Sequence, residues 1–352
     1  YLYISNTAKV MADSVYQSKK AAQLQQYHHS IMGALPVKTY TAAIKEGWLS
    51  SFPGLSVEAV NKHLPKSVQM VMGHLHMIHK GIRPTPGKKT VEINKLMNEV
   101  MEPDYDKTIR HELPLNRKHK VSVSVFKFDK LNGMISTDLP GRFPITSARG
   151  NSYILVMYCY TNNAILATGI RSQLAKDLRI GYDELYKKLL LSGIIPVLQR
   201  MDNETSKDLI KSIHEKNLSY QIASPGDHHL LPVERAIQTF KNHFISILYG
   251  ADRSFPANQW DRLLPQAVMT FNMVHRSRIN PRLSAYQQIW GNYDFNRTPM
   301  GIAGCKTIVH LRLKEKSCYS LHGVDGFYIE PAMDAFQNFI CYVPLTRDTQ
   351  RS

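Results

Sequence analysis

Cysteine is scarce in this chain. Its 352 residues include four (Cys159, Cys305, Cys318 and Cys341), and none stands in a C-x-x-C pair. That excludes a disulfide framework, and the thiols read as reduced groups of an intracellular protein. Long apolar runs are missing too: nothing approaches the roughly 18 residues of a membrane span, and the first residues do not read as a signal peptide. No G-x-S-x-G, Walker or H-E-x-x-H pattern occurs, so no motif points to a serine nucleophile, a nucleotide-binding loop or a zincin site. Negative charge is in deficit. Lys and Arg number 44 against 28 Asp and Glu, a net charge of +16, which suggests a polyanionic partner.

That excess is uneven. It amounts to +9 over residues 1–130, +3 over 131–250 and +4 over 251–352. The least basic segment is thus framed by more basic ones, as a cation-binding cleft with arms for phosphates would be. A hydrophobic content of 43% is enough for a core, and the length suits two or three domains. The first residue is Tyr1, not Met, and the chain reads as a fragment or as a piece cut from a polyprotein.

Residues 1–125 read as a helical region followed by a basic linker. Residues 41–46 form a helix stopped by Gly47, and Ser56 caps a second helix that contains Val57, Val60 and Leu64. His74, His76 and His79 follow, and the stretch 81–120 combines Pro, Gly and clustered Lys and Arg. From Val121 the period changes to two, V-S-V-S-V-F-K-F. Strands are expected at 133–138, at 151–160 and 164–170 around the hairpin signal T-N-N, at 194–201 and at 218–223. Helices are expected at 172–191, with Leu174, Leu178, Leu185 and Leu189 on or near one face, and at 206–216. A long helix after Pro232 carries the apolar stripe Ile237, Phe240, Phe244 and Leu248. Pro265 should interrupt or kink a helical stretch at 256–276, and another helix is expected at 284–290. Strands followed by β-α-β-α alternation imply an α/β fold, a mixed sheet flanked by helices, over residues 126–292. Residues 293–352 read as a small β module, cut short by the end of the chain.

Three acidic residues close or open these elements. Asp138 ends a strand in G-M-I-S-T-D-L-P-G-R-F-P, and Asp202 ends another in Q-R-M-D-N-E. Glu234 stands in the first turn of the helix V-E-R-A-I-Q-T-F-K. Carboxylates at two strand ends and a helix start can share one cleft. Side by side they would repel one another, so Mg²⁺ or Mn²⁺, which favour oxygen ligands, is the natural partner. On the long helix Glu234, Gln238 and Lys241 recur at i, i+4 and i+7 on a face other than the apolar one. Arg276, Arg278 and Arg282 form a basic cluster further on.

The text around these acids resembles the integrases of long-terminal-repeat retrotransposons of the copia type, within the retroviral integrase core superfamily. It does so through T-D-L-P-G-R-F-P-I-T-S-A-R-G-N-S-Y-I, M-D-N-E, E-R-A-I-Q-T-F-K-N-H-F, W-D-R-L-L-P-Q-A and S-R-I-N-P-R-L-S-A-Y, over about residues 130–291. The resemblance implies a ribonuclease H-like fold and a D-D-E triad, Asp138, Asp202 and Glu234, as catalytic metal ligands. It implies DNA contacts through Gln238, Lys241, Arg276 and Arg278, with element ends and target DNA as partners. It further implies a homo-oligomer acting on chromosomal DNA in the nucleus after synthesis in the cytoplasm. The implied reaction is metal-dependent polynucleotidyl transfer. Such integrases carry an N-terminal zinc module with a Cys pair. Here no cysteine precedes Cys159, so zinc is not expected. Three other readings stay open at this point: a ribonuclease H-type nuclease, a decayed copy that folds and binds nucleic acid, and a host DNA-binding protein that adopted the domain. The second is favoured by Leu230 and Leu231 in a loop that is more polar in the family.

Overall fold

The computed structural model describes residues 21–74, 133–201, 207–222, 232–310 and 322–352. The expected strand at 121–128, the basic stretch 81–120, His76, His79, Asp202 and the loop at 224–231 lie outside these residues. The described residues all belong to one compact unit.

Among the described residues five strands form the central sheet: β1 (Met134–Asp138), β2 (Tyr153–Cys159), β3 (Ala164–Ile170), β4 (Leu198–Met201) and β5 (Ser219–Ile222). Their order is β3-β2-β1-β4-β5. The first three make an antiparallel meander, and β4 and β5 run parallel to β1. This is a mixed sheet of ribonuclease H-like form, as expected. β2 reads Y-I-L-V-M-Y-C without polar interruption because both of its faces are covered. Ile154, Val156 and Tyr158 pack on one side, and Leu155, Met157 and Cys159 on the other.

Helices cover both faces. The second set of β2 side chains meets Tyr182, Leu185 and Leu189 of α5 (Ala175–Leu191), and Leu209 and Ile213 of α6 (Lys207–Glu215). The first set meets α7 (Pro232–Gly250), a 3₁₀ helix (Ala257–Leu263) and α8 (Leu264–Met273). Along α7 the buried stripe is Ile237, Phe240, Phe244 and Ile247, with Leu248 only half-buried. Leu174 differs from expectation: it is 71% exposed, standing before the first turn of α5 rather than within it. The strand expected at 194–201 is shortened to four residues. Pro196 has no N–H to give a ladder, and Ile195 and Val197 beside it are exposed. Pro265 begins α8 rather than breaking a helix, since its missing N–H falls in a first turn, where none is needed.

The N-terminal helices are α1 (Ala21–Ile31), α2 (Val37–Lys45), α3 (Val57–His63) and α4 (Val68–His74). Ser56 caps α3, accepting the N–H of Ala59 at 3.1 Å. These helices do not form a core of their own. Tyr27, Ile31, Trp48 and Phe52 pack with Met273, Tyr293, Phe295, Met300 and Tyr328. His28 and His29 are buried there. Each gives its Nε2 hydrogen to a carbonyl, Pro53 at 2.9 Å and Leu35 at 2.7 Å. Burial lowers the pKa of both, that of His28 to about 4, against the weaker opposing effect of those carbonyls.

After α8 comes α9 (Ala285–Trp290), held by a reciprocal Ser284–Gln287 capping box. The C-terminal module is an antiparallel sheet in chain order: β6 (Lys306–His310), β7 (Gly323–Pro331), β8 (Phe339–Val343) and β9 (Asp348–Arg351). The last strand, D-T-Q-R, has no apolar alternation to announce it. Its partner β8 supplies the order.

Candidate active site

The sheet delivers Asp138 at the C-terminal end of its central strand. Ile135 and Ser136 are buried inside β1, and Asp138, the last residue of the strand, is exposed. Its Oδ1 accepts the N–H of Leu139 at 2.7 Å. β4 lies parallel to β1 with Ser136 opposite Arg200, so the two strands end side by side. Met201 is the last residue of β4 and precedes Asp202, which lies outside the described residues. Behind Asp138 a buried amide ties the strands together. Gln199, wholly buried, donates to Thr137 Oγ1 and to the Arg200 carbonyl, each at 3.0 Å. Sequence reading missed Gln199, because nothing in Q-R-M-D marks which residue turns inward.

Glu234 sits half-buried in the first turn of α7. A helix N-terminus favours a carboxylate there by about 0.3–1 kcal/mol. Gln238 and Lys241 follow on α7, both exposed, and Gln238 donates to Asn242 Oδ1 at 3.1 Å. Among the described residues no group of three His, Cys, Asp or Glu side chains is placed to hold a metal ion. Position 202 is not among those residues.

Arg276 and Arg278 fall elsewhere. Asp138 lies opposite Val156 on β2. Arg278 donates to the Tyr158 hydroxyl at 2.7 Å and to the Tyr160 carbonyl at 3.4 Å, and Tyr160 is four residues further along the chain, about 13 Å in an extended strand. The carbonyl of Arg276 accepts from Asn163 in the β2–β3 hairpin at 2.9 Å. Its guanidinium pairs with Glu46 and lies 5.9 Å from the Trp48 ring centroid. The segment after α8 therefore runs past the hairpin, at the end of the sheet away from Asp138. These two arginines tie that segment to β2 and to the N-terminal helices instead of joining the carboxylate end.

The loop from β1 to β2 is built on Asp261 and Trp260 of the 3₁₀ helix. Asp261, 2% exposed, accepts at one oxygen from Ser147 (2.8 Å), Arg149 (2.9 Å) and Asn151 (2.7 Å). Trp260 stacks on Phe143 at 4.1 Å and donates to the Ile145 carbonyl at 2.8 Å. The motifs R-F-P-I-T-S-A-R-G-N and W-D-R are thus two halves of one joint, though neither half reveals the other in sequence.

The chain is therefore a mixed α/β protein whose ribonuclease H-like sheet presents Asp138 at a strand end, flanked by helices and joined to a small antiparallel β module. No protein-family model matches it, nor does any curated relative. Among solved structures it is similar to the catalytic core domain of BIV integrase, with 13% identity over 45% of this chain and 93% of that one, at a TM-score of 0.34.

Among the described residues no helix is long and apolar enough to cross a membrane.

Proposed function

We propose that this chain is a retrotransposon-type integrase, a polynucleotidyl transferase that processes and joins element DNA ends to target DNA in the nucleus, working as a homo-oligomer. The observation that carries the reading is the parallel register of β1 and β4. It makes the strand that ends in Asp138 and the strand that precedes Asp202 immediate neighbours. Glu234 at the start of α7 is the third proposed ligand. The donor set consists of carboxylate oxygens, which suits Mg²⁺ or Mn²⁺. When bound by Asp138, Asp202 and Glu234, such ions supply charge stabilisation at the attacking and leaving oxygens of an in-line displacement.

The chain's own part is to hold and orient. Gln199 fixes Thr137, and with it the direction in which Asp138 leaves the sheet. The buried stripe of α7 fixes the roll of that helix, and so the face that carries Glu234, Gln238 and Lys241. Gln238 and Lys241 then meet the DNA backbone. A joining assay on the full chain tests the reading, using a labelled terminal-repeat end, a target duplex and Mg²⁺. The wild type is expected to give joined product that requires a free 3′-hydroxyl, and Asp138→Asn and Glu234→Gln are each expected to remove it. Cleavage of the RNA strand of a hybrid without any joining would instead identify a ribonuclease H-type nuclease. Full joining by Asp138→Asn would overturn the assignment of the ligands.

A further inference from the structure

A cavity of about 570 Å³ opens where the β1–β2 loop, the 3₁₀ helix and the β8–β9 turn meet. Its lining includes Arg149, Arg262, Arg347, Asn258, Gln259 and Tyr342, and no acidic residue among the described residues. The three guanidinium groups come from three separate parts of the chain. Arg149 is positioned by Asp261 through Nε at 2.9 Å. Arg262 lies over the Tyr342 ring at 5.1 Å and gives its Nε hydrogen to Gln259 at 2.6 Å. Arg347 stands in the β8–β9 turn at φ 57°, in the left-handed region. Among the described residues neither Arg262 nor Arg347 has an acidic partner. Two carboxyl groups stand near Arg149. Asp261 is buried behind it, and Glu330 on β7 has a pKa raised to about 7 by burial, against the pull of Lys188 and Arg149.

We propose that this cavity binds phosphate oxyanions of a nucleic-acid backbone, and that it extends the path of DNA from the β1–β2 loop onto the C-terminal β module. The proposal rests on the reading of the partner as DNA. The chemistry favours that ligand. Guanidinium forks match phosphate oxygens in two-point contacts. The exposed amide of Asn258 adds a neutral donor, and the volume lies within the usual range for a binding site. The position favours it too. The N–H of Ala148 donates to the Asn258 carbonyl at 2.7 Å, so the loop that leaves β1 after Asp138 is tied directly to the cavity wall.

The test is binding, not catalysis, so failure of joining leaves it readable. Full-length protein in EDTA is titrated with a labelled duplex at several salt concentrations. The variant pair Arg262→Gln with Arg347→Gln is expected to bind about tenfold more weakly and to flatten the plot of log affinity against log salt by about two phosphate contacts. Arg262→Lys keeps the charge and is expected to keep the slope, which separates lost charge from lost stacking on Tyr342. Lys187→Gln on α5, outside the cavity, is the control and is expected to change the slope less than the pair does. Inorganic pyrophosphate is titrated in parallel. Pyrophosphate binding that the arginine variants abolish, beside an unchanged DNA slope, would assign the cavity to a free anion and overturn the backbone reading. Unchanged affinity and slope in the double variant would overturn the site altogether.

Discussion

Nε2 of His243 on α7 lies 2.9 Å from Oγ1 of Thr270 on α8, and both residues are wholly buried. The threonine hydroxyl donates to the Gln266 carbonyl at 2.9 Å, so its oxygen accepts from the imidazole. Nδ1 is left as an acceptor without a hydrogen-bond partner among the described residues. Protonating it would place a charge in a fully buried site. Burial is accordingly the main cause that lowers the pKa to about 3, followed by His74 and His275 nearby, while the Ala267 carbonyl pulls the other way. The folded value lies below the unfolded one, so the unfolded chain takes up the proton first as pH falls. Stability is full above pH 6.5 and declines as pH drops toward about 3, by an amount on the order of a few kcal/mol for such a group. Thermal unfolding from pH 7 to pH 4 is expected to show this loss, and to show less of it in His243→Gln. Identical pH dependence in the two proteins would remove His243 from the cause.

Asp261 gathers three donors on one oxygen. Asp261→Ala leaves Ser147, Arg149 and Asn151 facing a hole and is expected to destabilise the protein by about 3 kcal/mol. Asp261→Asn, which keeps an oxygen in place, is expected to lose about half as much. Urea unfolding midpoints measure both. Equal midpoints for the Ala variant and wild type would show that the joint contributes nothing to global stability.

Gly181 marks the closest approach of α5 to the sheet. A β-carbon there would stand 2.5 Å from Ile170 Cγ2 and 3.2 Å from Leu155 Cδ2. Alanine gains about 1 kcal/mol in helix propensity, but overpacking of this kind costs about 1–3 kcal/mol. A β-branched neighbour has little room to turn away. Gly181→Ala is expected to lower the urea midpoint, and a raised midpoint would mean that the helix simply moves off.

Lys241 is exposed on α7, two turns beyond Glu234. Lys241→Glu is expected to weaken binding to a terminal-repeat end and to flatten its salt dependence by about one phosphate contact. The apolar stripe is untouched, so the unfolding midpoint should stay within about 0.5 kcal/mol of wild type. Unchanged affinity and slope would make Lys241 an ordinary solvated charge.

Much of the fold was legible because its signals are local. The run Y-I-L-V-M-Y-C announces a strand covered on both faces, Asn163 takes the positive φ that a tight T-N-N hairpin requires, and Ser56 caps the helix it precedes. What stayed hidden depends on partners distant in sequence. Arg276 and Arg278 look like phosphate ligands when read alone. Only the crossing of their segment past the hairpin gives them Glu46, Trp48 and Tyr158 to bind. Arg149 and Arg262 sit in motifs more than a hundred residues apart, and the cavity between them exists only once the 3₁₀ helix has met the β1–β2 loop.

The core shared between the first helices and the later part of the chain bears on how the protein is made. Tyr27 donates its hydroxyl hydrogen to the Met300 carbonyl, Trp48 its indole hydrogen to Arg282, and Ser51 its hydroxyl hydrogen to Tyr293, across 273, 234 and 242 residues respectively. A ribosome adding about 5–20 residues per second emits α1–α3 long before their docking surface exists. For roughly 12–50 s, by that rate, the ring faces of Tyr27, Trp48 and Phe52 have no native surface to close on. The segment α1–α3 therefore completes its fold only once residues 273–328, against which it packs, have been made.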